Sequence, residues 1–166
     1  MEITYQEATL NELDEVTQLF VLATQEMEKN EIHQWDEIYP TRSELERDIM
    51  NREMMVGKIK DKIVVVYVIN RWEDEQYKKG NWVYEGNNYR ILHRLCVHPS
   101  YQKMGIARKT LNYIHACLIQ DGIESIRLDA FTENPYALRL YDKAGYQKVG
   151  TVDFRKGTFY IMEKVF

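Results

Sequence analysis

The sequence has 166 residues, of which 45% are hydrophobic and 29% charged, and its formal net charge at pH 7 is −4. This length is typical of one domain, and the apolar fraction is sufficient for a buried core. The negative charge argues against a nucleic-acid-binding surface, which usually needs a basic patch, and no apolar run is long enough to span a membrane.

The N-terminus and the cysteines indicate the compartment. The first six residues contain no basic region followed by an apolar one, so no signal peptide is visible. Two cysteines, Cys96 and Cys117, form neither a disulfide framework nor a metal-binding spacing. We therefore expect a cytoplasmic, reduced protein without a metal, acting as a monomer or a homodimer.

Seven strands and four helices are predicted, in the order β-α-α-β-β-β-α-β-α-β-β. Apolar and β-branched residues mark the strands, and apolar stripes with helical spacing mark the helices. The strands are predicted at residues 3–8, 54–60, 63–70, 91–97, 125–131, 146–152 and 159–166.

Capping signals bound the predicted helices. Thr/Glu capping boxes and an Asn-Pro pair favour helix starts, and glycine favours the position after a helix. Such signals place the helices after Thr9–Glu12 and Thr41–Glu44 and within Gly105–Gly122 and Asn134–Gly145. Residues 71–88 form a long polar and aromatic connection, of a kind that is often functional or mobile.

The stretch between the fourth strand and the third helix carries a candidate ligand site. Pro99 ends the strand, because proline cannot donate to a sheet ladder, and Gln102–Ala107 has the form Q-x-x-G-x-A. A helix N-terminus presents unpaired N–H groups and a partial positive charge, so it can hold a phosphate. Gly105 and Ala107 would let a ligand approach the backbone closely. The alternative is a glycine that only eases the turn into a helix.

With this motif the chain resembles the GNAT superfamily of acetyl-CoA-dependent N-acetyltransferases. The family pattern [RQ]-x-x-G-x-[GA] follows a strand that ends in an apolar-Val-x-Pro turn, here Leu95–Pro99. A second family pattern, N-x-x-A-x-x-x-Y, lies further along the chain. The matching residues are Gln102, Gly105 and Ala107 in the first pattern and Asn134, Ala137 and Tyr141 in the second.

The resemblance covers nearly the whole chain and implies one domain over residues 1–166 with a mixed α/β (α+β) GNAT fold. Its seven-stranded, mostly antiparallel sheet would be splayed between strands 4 and 5 to admit the pantetheine arm, with about four flanking helices. Acetyl-CoA is the implied co-substrate. The residues implied in binding it are Leu95, Cys96, Val97, Gln102, Lys103, Met104, Gly105, Ile106, Ala107, Arg108 and Asn134.

Tyr141 is the candidate general acid. It follows Asn134 by seven residues, about two helical turns, so both side chains can face one ligand. A phenol with a pKa of about 10 is a suitable proton donor to a leaving thiolate, and the resemblance implies this role. The alternative is a core aromatic ring that packs beside Ala137 and Leu138.

His93 is the candidate base. Strand alternation puts His93, Leu95 and Val97 on one face and Arg94 and Cys96 on the other. Imidazole accepts a proton near neutral pH, and the serotonin N-acetyltransferase branch of the family has a histidine four residues before the equivalent valine. The alternatives are a structural histidine and a base that acts through water. An acetyl-carrying role for Cys96 is disfavoured, because no activating group is visible.

The acceptor side is predicted only in outline. Trp35 and Tyr39 lie in a Gln-Trp-x-x-x-Tyr-Pro stretch that resembles one found in small bacterial GNATs, whose acceptor pocket often lies between the first two helices. The alternative for Trp35 is a ring that caps the core. The carboxylates that could attract a cationic amine, or be solvated loop charges, are Glu73, Asp74, Glu75 and Glu85.

Two functions are therefore weighed. The first is an acetyl-CoA-dependent N-acetyltransferase that acts on a primary amine of a small molecule or a protein. The second is a GNAT-fold module that binds acyl-CoA without turnover. Tyr141 favours the enzyme, because a binding module has no need of an acid at that position.

Overall fold

The computed structural model describes all 166 residues, and its elements follow the predicted order. The strands are β1 (Thr4–Glu7), β2 (Met54–Ile59), β3 (Lys62–Asn70), β4 (Tyr89–Val97), β5 (Ser125–Phe131), β6 (Gln147–Phe154) and β7 (Gly157–Val165). The helices are α1 (Leu13–Lys29), α2 (Arg42–Met50), α3 (Ile106–Gln120) and α4 (Pro135–Lys143). None of them has the length and apolarity needed to cross a membrane.

The strands form one sheet in the order β1-β2-β3-β4-β5-β7-β6. The pair β4–β5 is parallel and the other pairs are antiparallel. The parallel ladder joins Tyr89–Ile91 to Ser125–Arg127, at the start of each strand. The mixed seven-stranded sheet with four helices confirms the predicted fold class, and the short ladder agrees with the splay that the resemblance implies.

The residues group into two compact units. The first unit contains Met1–Ile69 and Arg94–Thr110, and the second contains Asn70–His93 and Leu111–Phe166. Strand β4 and helix α3 each contribute residues to both. The expectation of one domain over the whole chain stays a prediction.

The first unit is built on the predicted helical stripes. In α1, five apolar side chains at helical spacing are buried, because one face of the helix covers the sheet. They are Leu13, Val16, Leu19, Phe20 and Ala23. The predicted capping groups are in place: Glu12 Oε1 accepts from the Thr9 N–H at 2.9 Å, and Thr41 Oγ1 accepts from the Glu44 N–H at 3.3 Å. The first box caps a short 3₁₀ turn, which leads into α1.

The turn between β2 and β3 reaches left-handed backbone without glycine. The sequence predicts this turn at Asp61–Lys62, between the strands at 54–60 and 63–70. The central residues of the turn are instead Lys60 and Asp61, with φ of 48° and 65°. Two successive positive φ values suit a tight hairpin, because they match the twist of the flanking strands. Asp tolerates this conformation better than most residues.

The second unit includes the long connection 71–88, which packs against strand β5. Tyr77 is buried, and its hydroxyl donates to Asp129 Oδ2 at 2.6 Å. The Arg127 guanidinium lies over the ring of Trp82 at 4.0 Å and over the ring of Tyr89 at 3.7 Å. These contacts hold much of the connection against the sheet.

Candidate functional site

The loop before α3 contains two residues in the left-handed backbone conformation, which is typical of anion-binding loops. A 3₁₀ turn at Pro99–Tyr101 follows β4, and the His98 side chain accepts from the Ser100 N–H at 3.1 Å. Lys103 and Gly105 then take left-handed conformations, with φ of 62° and 78°. Residues in this conformation turn successive N–H groups toward one side, which makes an anion-binding concavity. Glycine adopts this conformation at the lowest cost, so the backbone favours it at position 105.

Space around Gly105 is open. A Cβ atom placed there would meet no heavy atom within 4 Å. The first N–H bond of α3 runs from Lys109 to the Gly105 carbonyl at 3.0 Å, so the amides of Ile106–Arg108 precede the helical ladder and need an outside partner. Lys103 and Arg108 are exposed beside them. The loop therefore fits the phosphate-holding role predicted for it.

The end of β4 packs against the first residue of α3, which follows this loop. Leu95 and Val97 pack with Ile106 of α3, whereas Cys96 lies in the core cluster that includes α1. The alternation predicted for these three residues is confirmed. Burial raises the pKa of the Cys96 thiol well above its ordinary value, so the side chain stays a neutral thiol. A neutral thiol is a poor nucleophile, which agrees with the expectation that Cys96 does not carry the acetyl group.

Arg94, which sequence reasoning missed, contacts Tyr39 of the predicted acceptor side. It takes a left-handed conformation within β4, with φ of 50°, although it is not glycine. Its guanidinium donates from Nε to Asp48 Oδ2 at 2.9 Å and from Nη2 to Asp48 Oδ1 at 2.8 Å. Asp48 stands beside Leu45 and Ile49 on the buried side of α2. The sequence does contain one indication of this pair, which is the Asp48 carboxylate within the apolar stripe of α2. A buried charge needs a partner of opposite charge, so the carboxylate predicts a cation nearby.

The two aromatic residues predicted for the acceptor side have different surroundings. Trp35 is buried and packs against Phe20, with ring centroids 5.3 Å apart. Its placement favours the core-packing alternative. Tyr39 is half-buried, and its hydroxyl accepts a hydrogen bond from Arg94 Nη1 at 2.6 Å.

His93 lies in the second unit, where its Nε2 atom contacts two oxygen atoms. Its Nε2 is 2.8 Å from Asn70 Oδ1 and 3.1 Å from the Trp72 carbonyl oxygen. The Trp72 ring lies 6.0 Å from the imidazole and is largely exposed. The left-handed residue that follows, Arg94, interrupts the regular pleat, so strand alternation does not give the direction of His93.

Tyr141 lies on α4, whose start is built as predicted. Asn134 caps the helix by accepting from the Ala137 N–H at 3.1 Å, and Pro135 occupies the first turn. The Tyr141 ring is buried and stands edge-on to Tyr146, with centroids 5.5 Å apart. Burial raises the pKa of the Tyr141 phenol, and the charge of Asp129 raises it further. The hydroxyl therefore keeps its proton through the neutral and mildly alkaline range.

A buried polar pair stands behind this tyrosine. The Tyr146 hydroxyl is hydrogen-bonded to His115 Nε2 at 2.7 Å, and Phe166 covers the imidazole at 5.6 Å. Burial, with a smaller contribution from Lys164, lowers the pKa of His115 to about 4. His115 is consequently neutral at pH 7, and the pair fixes the ring on which Tyr141 packs.

Two of the four carboxylates considered for an amine are used inside the chain. Glu73 pairs with Arg127 at 3.5 Å and accepts from the Tyr89 hydroxyl at 3.2 Å. Glu75 pairs with Lys78 at 2.8 Å. Their charges are balanced locally, which weakens the hypothesis that this segment attracts a cationic acceptor.

Comparison with known proteins identifies a family and several similar folds. The model of the Acetyltransferase (GNAT) family matches residues 16–146. A GNAT-family acetyltransferase from Streptococcus agalactiae 2603 matches 99% of this chain with 95% of its own, at a TM-score of 0.86 and 22% identity. A search of curated proteins found no match.

Two further structures share the fold at lower identity. The PaiA N-acetyltransferase of Thermoplasma acidophilum, solved in complex with coenzyme A, matches over 100% of both chains, with a TM-score of 0.75 and 16% identity. The ribosomal-protein-S18-alanine N-acetyltransferase of Escherichia coli matches 99% of this chain with 94% of its own, at a TM-score of 0.72 and 14% identity.

Proposed function

Because the chain belongs to the GNAT acetyltransferase family, we propose that it transfers an acetyl group from acetyl-CoA to a primary amine of a small molecule or a protein. The observation that carries this proposal is the loop before α3. Two residues there, Lys103 and Gly105, have the left-handed backbone typical of anion-binding loops, and the space beside Gly105 is open. Two similar folds, one solved with coenzyme A, bear N-acetyltransferase names, which supports the same chemistry.

The proposed cofactor contacts use mainly backbone atoms. The N–H groups of Gln102–Arg108 would hold the pyrophosphate, and the backbone of Leu95–Val97 would pair with the pantetheine arm as an added strand. Acetyl-CoA, when bound, supplies the acetyl thioester and its thiolate leaving group. Asn134 is also a proposed contact of acetyl-CoA, and its side-chain oxygen caps α4, which places that helix and Tyr141.

Tyr141 is the proposed general acid. A phenol is protonated at neutral pH and burial raises the pKa of Tyr141 further, so Oη carries the proton that a general acid must hold until the thiolate develops. The edge-on contact with Tyr146 restricts the ring, so the hydroxyl keeps one direction. Donation from Oη would let the thiol leave in neutral form.

His93 is the proposed base toward the attacking amine. An amine must be neutral to attack a carbonyl carbon and must lose a proton as the amide forms. The hydrogen bonds of Nε2 restrict the ring, which a base needs in order to meet the amine in one geometry. On the acceptor side, Tyr39 is a proposed contact residue whose hydroxyl is positioned by Arg94.

A screen of primary amines with acetyl-CoA, monitored by release of free thiol, tests the proposal. The panel includes small mono- and diamines and peptides with a free α-amine or lysine side chain. Thiol release that depends on the amine, with an acetylated product of matching mass, is expected. Tight acetyl-CoA binding without amine-dependent release across the panel would contradict the enzyme and favour the binding module.

A further inference from the structure

One side-chain oxygen atom of Asn70 lies within hydrogen-bond distance of two nitrogen atoms. Asn70 Oδ1 lies 3.0 Å from the backbone nitrogen of Trp72 and 2.8 Å from His93 Nε2. The Trp72 N–H can only donate, so the atom that faces it must be the amide oxygen of Asn70. The orientation of this amide is therefore set by a backbone group.

The same geometry determines which nitrogen of His93 carries a proton. Both oxygens near Nε2, from the Asn70 side chain and the Trp72 backbone carbonyl at 3.1 Å, are acceptors. Two acceptors can be satisfied only if Nε2 bears hydrogen. In the neutral imidazole the other nitrogen, Nδ1, then holds the lone pair.

We propose that Asn70 is a positioning residue, which holds neutral His93 in the Nε2–H tautomer and makes Nδ1 the nitrogen that accepts a proton. Asn70 Oδ1 accepts directly from His93 Nε2. Asn70 Oδ1 also accepts from the Trp72 N–H, and this bond positions the Trp72 carbonyl, which is the second acceptor for Nε2. The catalytic consequence rests on the proposed function, in which His93 is the base.

The segment after Trp72 is anchored independently. Glu73, the next residue, pairs with Arg127 at 3.5 Å, and Arg127 is itself held between the rings of Trp82 and Tyr89. The Trp72 carbonyl is thus held on one side by Asn70 and on the other by this anchor. The two contacts to Nε2 come from neutral groups, an amide oxygen and a backbone carbonyl, and the Glu73 carboxylate of this segment is paired with Arg127.

Long-range ¹H–¹⁵N correlation spectra of protein with ¹⁵N-labelled histidine test the proposal without any need for turnover. The His93 signals are assigned by their loss in His93→Gln. In the wild type, we expect a protonated Nε2 and an unprotonated Nδ1. Asn70→Ala should increase the share of the Nδ1–H tautomer several-fold, whereas Asn70→Asp, which keeps an acceptor oxygen, should restore Nε2–H. Asn112→Ala, on the exposed face of α3, is the matched control and should change nothing.

A wild-type ring with its proton on Nδ1, or an unchanged tautomer in Asn70→Ala, would overturn the proposal. Kinetics provide a separate comparison once an acceptor is found. Asn70→Ala should then lower kcat with little change in the KM for acetyl-CoA, and Asn70→Asp should recover part of the rate. Absence of turnover in the wild type would overturn the proposed function, while the tautomer spectra would still decide the role of Asn70.

Discussion

Arg94 and Asp48 form a two-bond ion pair in the interior of the first unit, with N–O distances of 2.9 and 2.8 Å. The side chains are 10% and 4% exposed. The pair joins α2 to strand β4, and its guanidinium also donates to the Tyr39 hydroxyl at 2.6 Å. Arg94, which is largely but not fully buried, therefore links the core to an aromatic residue proposed for the acceptor side.

Asp48→Asn should destabilise the protein strongly. Removing one partner leaves the Arg94 charge buried and uncompensated, which typically lowers the free energy of unfolding by about 3 kcal/mol or more. Urea denaturation measures the change. Glu7→Gln, which breaks the exposed pair with Arg52, is the control and should have little effect. Equal midpoints for Asp48→Asn and the wild type would contradict the buried pair.

Gly105→Val should weaken binding of acetyl-CoA by about tenfold or more, or ~1.4 kcal/mol. The side chain would occupy the open space through which the ligand reaches the backbone. Gly122→Val is a matched control, because Gly122 has φ of 77° against 78° at Gly105 and equally open surroundings. Both variants carry the same backbone strain. Calorimetry that shows equal affinities for both variants would argue against this binding site.

Tyr141→Phe should lower kcat by roughly 10²-fold while acetyl-CoA affinity stays near that of the wild type. The ring and its contact with Tyr146 remain, and only the proton on Oη is lost. Tyr136→Phe removes a hydroxyl from an exposed position on the same helix and should be silent. Steady-state kinetics beside a melting curve separate the two roles. Full turnover in Tyr141→Phe would assign the residue to packing.

His93→Ala should lower kcat/KM by roughly 10²–10⁴-fold and remove the acidic limb of its pH profile. The reason is that the base must be unprotonated in the free enzyme. His33→Ala, at an exposed histidine that pairs with Glu28, should leave both unchanged. A small decrease with an intact acidic limb would assign proton removal to water or to another group.

Stability should fall as the pH is lowered from about 6.5 to about 4, because of His115. Burial lowers its pKa in the folded state to about 4, whereas an exposed histidine titrates near ~6.5. In that window the unfolded chain binds the proton and the folded chain does not, so protonation favours unfolding by up to about 1.4 kcal/mol per pH unit. Below about pH 4 both states are protonated and this residue contributes no further slope.

Urea midpoints measured across this range check the His115 contribution. His115→Gln removes the titration and should flatten the profile relative to the wild type. His33→Gln removes an exposed histidine instead and should retain the slope. An unchanged profile in His115→Gln would exclude this residue as its source.

Local signals predicted the parts of the site that depend on backbone chemistry. The loop Gln102–Ala107 was found because Gly105 satisfies a left-handed conformation within a short motif. Asn134 was found for a similar reason, since its side chain caps the helix that it begins. The turn at Lys60–Asp61 was displaced by one residue, because no glycine marks its position.

No local sequence pattern predicted the side-chain contacts between segments that are distant along the chain. Asp48 and Arg94 are separated by 46 positions, Asn70 and His93 by 23, and His115 and Tyr146 by 31. Each partner is an ordinary polar residue in its own segment. The left-handed conformation of Arg94 also lies inside a strand where sequence predicts a regular pleat.

The sequence by itself determined the order of strands and helices, the fold class and the loop before α3, because periodicity, capping and turn conformation are properties of neighbouring residues. Only the tertiary structure decided which polar side chains meet: Arg94 with Asp48 and Tyr39, His93 with Asn70, and Tyr146 with His115. The physical reason is that a buried polar group must find a partner, and the fold, rather than the local sequence, brings distant segments within hydrogen-bond distance.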